Sequence, residues 1–301
     1  MQIPFEKWQG CYNDFIVVYE DNPQDNLQSL REASLGLCSR IGNGIGADGI
    51  LHLTRLPDGS YKLTIINSDG SLAETCGNGI RCAAGFLKKR GLHSSAENGA
   101  GFVDLELQSG YQAHCQFHGE DGAFVLVTMG IAKAISGKEA EIEGLLLDLE
   151  KEQNLSLRKN HLLINILNNH IVAEPGGDVS QLAKRLGPPL QAYDKGDGIN
   201  VHIIEEKKVT KEDLSRSERE AGITIQKLWR AVTWERGAGE TMACGSGACS
   251  IAAYGYDRDK SLSGWVAIDM PGGRLYVQKD KTSGLYSLLG PAEFVFSGVI
   301  S

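Results

Sequence analysis

The chain has 301 residues, of which 42% are hydrophobic and 23% are charged, a composition typical of a globular protein with a buried core. Its formal net charge of −8 argues against non-specific nucleic-acid binding, which needs a basic surface. The opening residues, MQIPFEKWQG, lack the apolar core of a signal peptide, and no apolar run is long enough to span a bilayer. The sequence therefore predicts a cytoplasmic protein of one large or two ordinary domains, with no nucleic-acid or membrane partner.

Short strand-like runs dominate the chain. They are rich in Val, Ile, Thr and aromatic residues, and they cover 14–20, 61–67, 101–108, 123–130, 161–167, 199–204, 229–235 and 264–270. Apolar spacings of three and four predict helices over 27–41 and 179–187, and two more helices are expected after Cys76 and Cys244. This mixture predicts an α+β fold.

Three segments carry no predicted chemistry. The charged stretch 138–154 is predicted to be a solvated surface helix or loop. The polar stretch 207–224 is predicted to be an insertion before a strand, and the glycine-rich stretch 42–49 to be a turn.

One motif occurs twice. Residues 74–87 read ETCGNGIRCAAGFL, and residues 240–255 read ETMACGSGACSIAAYG. Each copy follows an apolar strand and a turn, and each leads into a run of small and apolar residues. A duplicated strand–turn–cysteine–helix unit predicts two related domains that face each other.

Each copy places a cysteine where a helix is expected to begin. If Cys76 is the N-cap, the N–H groups of Gly77, Asn78 and Gly79 lack partners within the helix. Such a helix end binds anions, and glycine lets a ligand approach the backbone closely. The same end lowers the pKa of a thiol. One turn therefore offers both a carboxylate site and an activated sulfur.

If both turns bound the same substrate carboxylate, they would place one sulfur on each side of the carbon next to it. This arrangement suits inversion of an α-carbon: a thiolate removes the proton from one face and a thiol returns one to the other. The simpler interpretation is that a cysteine beside glycine is a small buried residue, and we assign Cys82 and Cys249 to the core on that basis. Seven cysteines without a C-x-x-C pair predict neither a disulfide framework nor a zinc site.

At this point the motifs resemble those of the diaminopimelate epimerases, which are cofactor-independent amino-acid epimerases of lysine and cell-wall biosynthesis. The matching stretches are NDF (13–15), GIGAD (44–48), NSDGS (67–71), CGNGIRC (76–82), ERGAGET (235–241), ACGSGAC (243–249) and PGG (271–273). The resemblance implies two pseudo-symmetric domains, each a curled mixed sheet around a central helix, with the active site in the cleft between them. It places the domain limits at 1–122 with 291–301, and at 123–290.

Carried over by motif, the resemblance implies that Cys76 and Cys244 are the two acid–base groups. Backbone N–H groups that would hold the reacting carboxylate belong to Gly77, Asn78, Gly245 and Ser246. Residues that match the remaining substrate contacts, several at the distal amino-acid end, are Asn13, Asn67, Asn168, Asn200 and Arg236. His170 and Glu235 match a pair near the cysteines that binds the reacting ammonium group and tunes the thiols.

The resemblance further implies a small amino-acid substrate, a homodimer, and catalysis without pyridoxal phosphate, metal or another cofactor. Three positions depart from the family pattern: Gly10–Cys11–Tyr12 before the first motif, Gly49 after the GIGAD stretch, and Asn169 before His170. They leave open a racemase for another amino acid on the same scaffold. A non-catalytic binding protein is a further alternative, although a binding protein has no need of paired cysteines.

Overall fold

The computed structural model describes residues 2–21, 26–96, 100–119, 123–135, 139–155, 157, 160–193, 198–210, 214, 219 and 222–300. Half of the 207–224 insertion lies outside these residues. The chain forms two compact units: the first unit comprises 1–128 with 289–301, and the second comprises 129–288. The sequence-based domain limits stay a prediction, because compactness does not by itself define a domain that folds alone.

The first unit is built on a mixed sheet, whose strands follow the apolar alternation of the sequence. They are β1 (Ile3–Gly10), β2 (Asn13–Glu20), β3 (Gly49–Arg55), β4 (Tyr61–Asn67), β5 (Leu72–Ala73), β6 (Ser94–Ser95), β7 (Gly101–Leu107), β8 (Gln112–His118), β9 (Phe124–Ile131) and β19 (Glu293–Ile300). Its helices are α1 (Asn26–Leu37) and α2 (Gly77–Lys89). The chain leaves this unit within β9.

The second unit repeats the plan. Its strands are β10 (Lys133–Ala134), β11 (His161–Ile166), β12 (Asn168–Ala173), β13 (Asn200–Lys207), β14 (Ile225–Glu235), β15 (Gly239–Thr241), β16 (Trp265–Met270) and β17 (Gly273–Lys279), and β18 (Leu285–Pro291) leads back to the first unit. Its helices are α3 (Glu139–Gln153), α4 (Val179–Tyr193) and α5 (Gly245–Arg258).

Strand pairing shows the internal repeat directly. In the first unit the order β1–β2–β3–β4–β7–β8 is antiparallel, parallel, antiparallel, parallel and antiparallel. In the second unit the order β11–β12–β13–β14–β16–β17 follows the same sequence of orientations. A helix connects the first parallel pair in each unit, and a cysteine-capped helix connects the second. The predicted α+β fold with a mixed sheet in each half is therefore confirmed.

The cysteine-capped helices are the cores of their units. Every residue of α2 from Gly77 to Leu87 is buried, as is every residue of α5 from Gly245 to Tyr256. Small side chains make this packing feasible: a Cβ at Gly85 would lie 2.8 Å from the Trp8 ring, and one at Gly255 would lie 2.2 Å from Trp229. Cys82 and Cys249 are fully buried, which confirms their assignment to the core.

Two predicted helices have different limits in the structure, and a third has a buried face. The helix predicted over 27–41 ends at Leu37, and the glycine-rich loop follows it. The segment 138–154 forms the predicted surface helix over Glu139–Gln153 with most of its charged residues exposed, but one face is apolar, because Ile142, Leu146 and Leu149 pack into the core beside α4. Helix α4 continues through Pro188 and Pro189 to Tyr193, held by its packing on β13 and β14. Tertiary contacts here outweigh local propensity. Among the described residues, no helix is both long and apolar enough to cross a membrane.

Candidate active site

The first cysteine turn is an N-cap. Cys76 has an extended backbone, and its sulfur accepts a hydrogen bond from the Gly79 N–H at 3.4 Å. Its thiol lies 3.7 Å from Asn13 Oδ1, which also accepts from Asn78 Nδ2 at 3.2 Å. The structure thus brings Cys76, Asn78 and Asn13 together in the first unit, beside the buried Gly77.

Asn13 is oriented by a charged loop that the sequence analysis assigned only to a turn. Its Nδ2 donates to Asp48 Oδ2 at 2.6 Å, which turns Oδ1 towards the Cys76 thiol. Arg40 donates to both Asp14 and Asp48. Burial alone would raise the pKa of Asp14, but hydrogen bonds from Arg40 and Lys7 lower it. The GIGAD stretch therefore supplies an orienting carboxylate, Asp48.

A buried arginine braces the same turn from within the helix. Arg81 is fully buried and donates to Asn78 Oδ1 at 2.8 Å, to Gly77 O at 3.3 Å and to Pro291 O at 3.2 Å. A buried guanidinium needs such a set of acceptors, because its charge cannot be removed by deprotonation. The sequence analysis had assigned no role to Arg81.

Asn67 lies at the end of β4, opposite Gly49 in the antiparallel register. Its side chain donates to Ser71 Oγ at 2.9 Å within the SDGS turn, and it is exposed. This hydrogen bond connects the Asn67 side chain to the turn that follows β4.

The second cysteine turn has the same backbone but a different environment. Cys244 is the N-cap of α5, is 6% exposed, and has its sulfur 3.6 Å from Ser246 Oγ. Its N–H donates to Met270 Sδ at 3.4 Å. Gly245 and Ser246 are buried directly after it, and Ser250 Oγ donates to Ser246 O at 2.9 Å. The predicted capping position holds for both cysteines.

The pKa of Cys244 is not lowered, contrary to the expectation for a thiol at a helix start. Burial raises it well above its ordinary value, and the negative charge of Glu235 raises it further. Hydrogen bonds from Ser246 and from the Gly247 N–H lower it without reversing the shift. The helix terminus is thus outweighed by the loss of water and by a nearby carboxylate.

Glu235, Arg236 and Asn200 lie at adjoining strand ends in the second unit. Glu235 Oε1 accepts from Thr241 Oγ1 at 2.5 Å and interacts with Cys244. Asn200 Oδ1 accepts from the Arg236 N–H at 3.0 Å, which holds the start of the 235–241 motif. The Arg236 side chain is exposed and passes over Gly198, where a Cβ would lie 2.1 Å from its Cδ.

Asn168 and His170 lie on β12, after a tight turn in which Leu167 has a φ of +64°. Asn168 begins the strand and is partly exposed, whereas His170 is fully buried. His170 Nδ1 lies 2.8 Å from His202 Nε2, and His202 Nδ1 lies 3.0 Å from Thr233 Oγ1. His202 and Thr233 carried no sequence motif, and the sequence analysis missed both.

The structure therefore assembles two clusters, one in each unit. Asn13, Asn78 and Cys76 form the first, and Cys244, Ser246 and Glu235 form the second. Among the described residues, no three His, Cys, Asp or Glu side chains come close enough together to hold a metal ion. Each cluster offers a sulfur beside a buried helix start, which is an arrangement for moving protons next to an anion.

The chain is similar in sequence to proteins of one family. Residues 5–135 match the family model described as diaminopimelate epimerase. A diaminopimelate epimerase of Synechococcus sp. (strain JA-3-3Ab) is 32% identical over 99% of this chain and 98% of its own length. A diaminopimelate epimerase of Nostoc punctiforme is 30% identical over 99% of both chains.

Solved structures share the fold at low identity. The crystal structure of an Enterococcus faecalis protein of the phenazine biosynthesis PhzF family has a TM-score of 0.65 and 12% identity, with complete coverage of both chains. A hydroxyproline epimerase of Agrobacterium vitis has a TM-score of 0.63 and 12% identity, over 99% of this chain and 91% of its own. The resemblance recognised in the motifs is confirmed by the curated relatives, and the chain belongs to the diaminopimelate epimerase family of isomerases.

Proposed function

We propose that this amino-acid epimerase interconverts LL- and meso-diaminopimelate by a two-base mechanism without a cofactor. The observation that carries the proposal is the repeated helix start: Cys76 and Cys244 cap the central buried helices of two units with the same strand order. A binding protein has no use for two such sulfurs, whereas inversion of an α-carbon requires one proton-transfer group for each face.

In the proposed reaction one cysteine begins as a thiolate and takes the α-proton, which forms its S–H bond. The electron pair left on the α-carbon delocalises into the adjacent carboxylate. The other cysteine gives its thiol proton to the opposite face and becomes a thiolate. The N–H groups of Gly77, Asn78, Gly245 and Ser246 would stabilise the negative charge on the carboxylate, as an oxyanion hole does.

Glu235 would couple substrate binding to the acidity of Cys244. In the free protein its charge raises the pKa of that thiol, second only to burial. An α-ammonium group beside Glu235 would compensate the carboxylate charge, so the Cys244 thiolate would become easier to form when substrate is bound. The thiol would then stay protonated, and hence unreactive, until an amino acid arrives.

Distal recognition would be the task of Asn67, Asn168, Asn200 and Arg236, with Asn13 positioned beside the first sulfur. Arg236 has an exposed guanidinium, and its backbone N–H is fixed by Asn200. A guanidinium binds a carboxylate through two parallel hydrogen bonds, which favours a substrate with a second carboxylate. His170 is buried, so we assign it a supporting role.

The decisive experiment is exchange of the α-hydrogen in heavy water over a panel of amino acids that includes both diaminopimelate isomers. We expect deuterium to enter diaminopimelate alone. Exchange into another amino acid in its place would select the alternative, a racemase on the same scaffold. Gly49 is one of the departures that leave this alternative open, and a Cβ there would lie 2.5 Å from Ile66 O, so a larger residue would require the backbone to shift.

The contribution of Arg236 is tested by Arg236→Lys, which keeps the charge but removes the two-point grip. We expect kcat/KM for diaminopimelate to fall about tenfold, or about 1.4 kcal/mol. Lys184→Arg serves as a control, because Lys184 is a largely exposed cation of the same unit. Unchanged kinetics in Arg236→Lys would remove this residue from the site.

Three further features of the cellular setting remain predictions. They are a role in lysine and cell-wall biosynthesis, a cytoplasmic location and a homodimer. The dimer is tested by measuring the mass of the full chain in solution by light scattering, and a monomer at micromolar concentration would contradict it.

A further inference from the structure

A buried chain of three polar side chains lies beneath the second cysteine turn. His170, His202 and Thr233 sit on the adjacent strands β12, β13 and β14 and are at most 1% exposed. His202 bridges the other two, with Nε2 2.8 Å from His170 Nδ1 and Nδ1 3.0 Å from Thr233 Oγ1. Both ring nitrogens of His202 are therefore used, so its ring is held at two points.

Both rings are neutral. Burial lowers the pKa of His170 to about 3, and burial together with the neighbouring His170 lowers the pKa of His202 well below its ordinary value. A buried polar group destabilises the fold unless it is hydrogen-bonded. His202 has a partner at each ring nitrogen, which makes it the member of the chain that is fixed at two points.

The bonding pattern also couples the two rings. A neutral imidazole has one N–H and one acceptor nitrogen. If His170 donates from Nδ1, His202 must accept at Nε2 and carry its proton on Nδ1; if His202 donates from Nε2, His170 must carry its proton on Nε2. Either way the two rings have the same tautomer, and the Thr233 hydroxyl can serve as acceptor or donor to suit.

This buried chain touches the catalytic turn at Gly247. A Cβ at Gly247 would lie 2.2 Å from His202 Cε1, so the helix backbone rests directly on the ring. Gly247 lies three residues after Cys244, within the helix start that this cysteine caps. The path from Thr233 to the proposed acid–base sulfur thus runs through His202 and the first turn of α5, all of which are buried.

We propose that His202 is a positioning residue of the second turn: it holds the His170 ring and supports the backbone of α5 at Gly247, three residues after Cys244. This inference rests on the proposed two-base function for its effect on catalysis. It assigns a role to a residue outside every motif that matched the family.

The test compares three substitutions of one residue. In His202→Gln the amide reaches the position of Nε2 and keeps a partner for His170, whereas in His202→Asn the shorter amide reaches only Thr233. His202→Leu keeps the bulk and removes both bonds. Ile204→Val is the control for altered packing, because Ile204 is buried on the same face of the same strand, two residues further on.

We expect kcat to stay within about threefold of wild type in the Gln variant and to fall at least about tenfold in the Asn and Leu variants, with KM changed little. Alkylation of Cys244 should slow in the Leu variant, because the helix start that stabilises the Cys244 thiolate loses its support. The alkylation rate of Cys76 should stay the same. Nitrogen NMR of the wild type should show both rings neutral and in one tautomer.

The inference is overturned if Asn matches or exceeds Gln, if Leu behaves as wild type, or if the two rings have different tautomers. It is also overturned if Ile204→Val lowers kcat as much as the Leu variant does. Failure of the proposed function is a separate result: if the wild type exchanges no α-hydrogen, the tautomer pattern and the Cys244 alkylation rate still decide the role of His202.

Discussion

Beneath the first cysteine turn Gly79 faces Leu51, whereas beneath the second Gly247 faces His202. Leu51 and His202 are equivalent by register, since each lies two residues after the start of the strand that follows the first connecting helix. The neighbouring pairs differ in the same way: Phe15 corresponds to His170, each paired with the first residue of that strand.

Ile65 and Thr233 complete the correspondence, because each is the antiparallel partner of the residue beneath the turn. We call the three side chains beneath each turn its floor. The floor of the first turn (Phe15, Leu51 and Ile65) is entirely apolar, whereas the floor of the second (His170, His202 and Thr233) is a chain of hydrogen-bonded polar side chains. The repeat has kept the backbone and the position of the sulfur while it changed the layer beneath. Because the first helix start forms over apolar side chains, a polar layer is not needed to build the turn.

The two turns also differ in the side chains that hold them from around rather than from beneath. The first turn is held by charged groups, with Asp48 orienting Asn13 and Arg81 bracing Asn78. The second turn is held by short hydroxyl contacts from Ser246 and Ser250. The first turn is therefore held by charged groups around it, whereas the second has hydroxyl groups around it and the hydrogen-bonded histidine pair beneath it.

Replacing each cysteine separately is the strongest test of whether the two cysteine turns are equivalent. Cys76→Ser and Cys244→Ser should each lower epimerisation about 100- to 10,000-fold, because a hydroxyl is far less acidic than a thiol. Each variant keeps one sulfur and should still eliminate halide from a β-halogenated substrate analogue of one α-configuration. Opposite preferences for the two analogue epimers are expected. Wild-type epimerisation in both variants would leave the repeated motif with a structural meaning only.

Acid should destabilise the second unit through its polar floor. Unfolded histidines bind protons below a pKa of 6.5, while burial holds the pKa of His170 at about 3, so the stability is complete above pH 6.5 and is lost as the pH falls towards 3. Between about pH 7 and pH 5 we expect a loss on the order of 2 kcal/mol for each of His170 and His202. Urea unfolding at several pH values measures it.

The control for this pH dependence transplants the first floor into the second, as His170→Phe, His202→Leu and Thr233→Ile together. This variant should unfold with a shallower dependence on pH over the same range. A slope equal to that of the wild type would show that the buried pair is not the source.

Adding a methyl group at the helix glycine that contacts each floor tests how firmly the side chains of that floor are held in place. At Gly79 a Cβ would lie 3.1 Å from the flexible end of Leu51, whereas at Gly247 it would lie 2.2 Å from a ring bonded at both nitrogens. Gly247→Ala should lower the free energy of unfolding by about 3 kcal/mol, and Gly79→Ala by about 1 kcal/mol or less. Equal shifts in the denaturation midpoints would mean that the second floor yields as easily as the first.

The smallest effect concerns the environment of one thiol. Glu235→Gln removes a charge that raises the pKa of Cys244, so iodoacetamide should alkylate Cys244 several-fold faster near pH 8. Cys76 in the same molecule is the internal reference, and peptide mass spectrometry separates the two. An unchanged or slower rate at Cys244 would show that Glu235 does not control this thiol. Epimerisation should fall at the same time, since the ammonium group loses its partner.

The two cysteine turns could be located in the sequence because their signals are local. A cysteine followed by Gly-x-Gly and a run of small residues specifies a helix start within a few residues, and both N-caps are confirmed. The strands could be predicted for the same reason, from short runs rich in Val, Ile, Thr and aromatic residues. Arg81 was visible in the motif, but its role depends on acceptors that include Pro291, 210 residues away.

The start of each cysteine-capped helix and the duplication of the α+β unit could both be read from the sequence. The layer beneath each turn and the raised pKa of the Cys244 thiol depend on the tertiary structure. His202 meets His170 and Thr233, each more than 30 residues away along the chain, through strand register alone. The pKa of Cys244 follows from burial and from Glu235, and burial is a property of the packed fold. Capping depends on neighbours along the chain, whereas desolvation and register depend on neighbours in space.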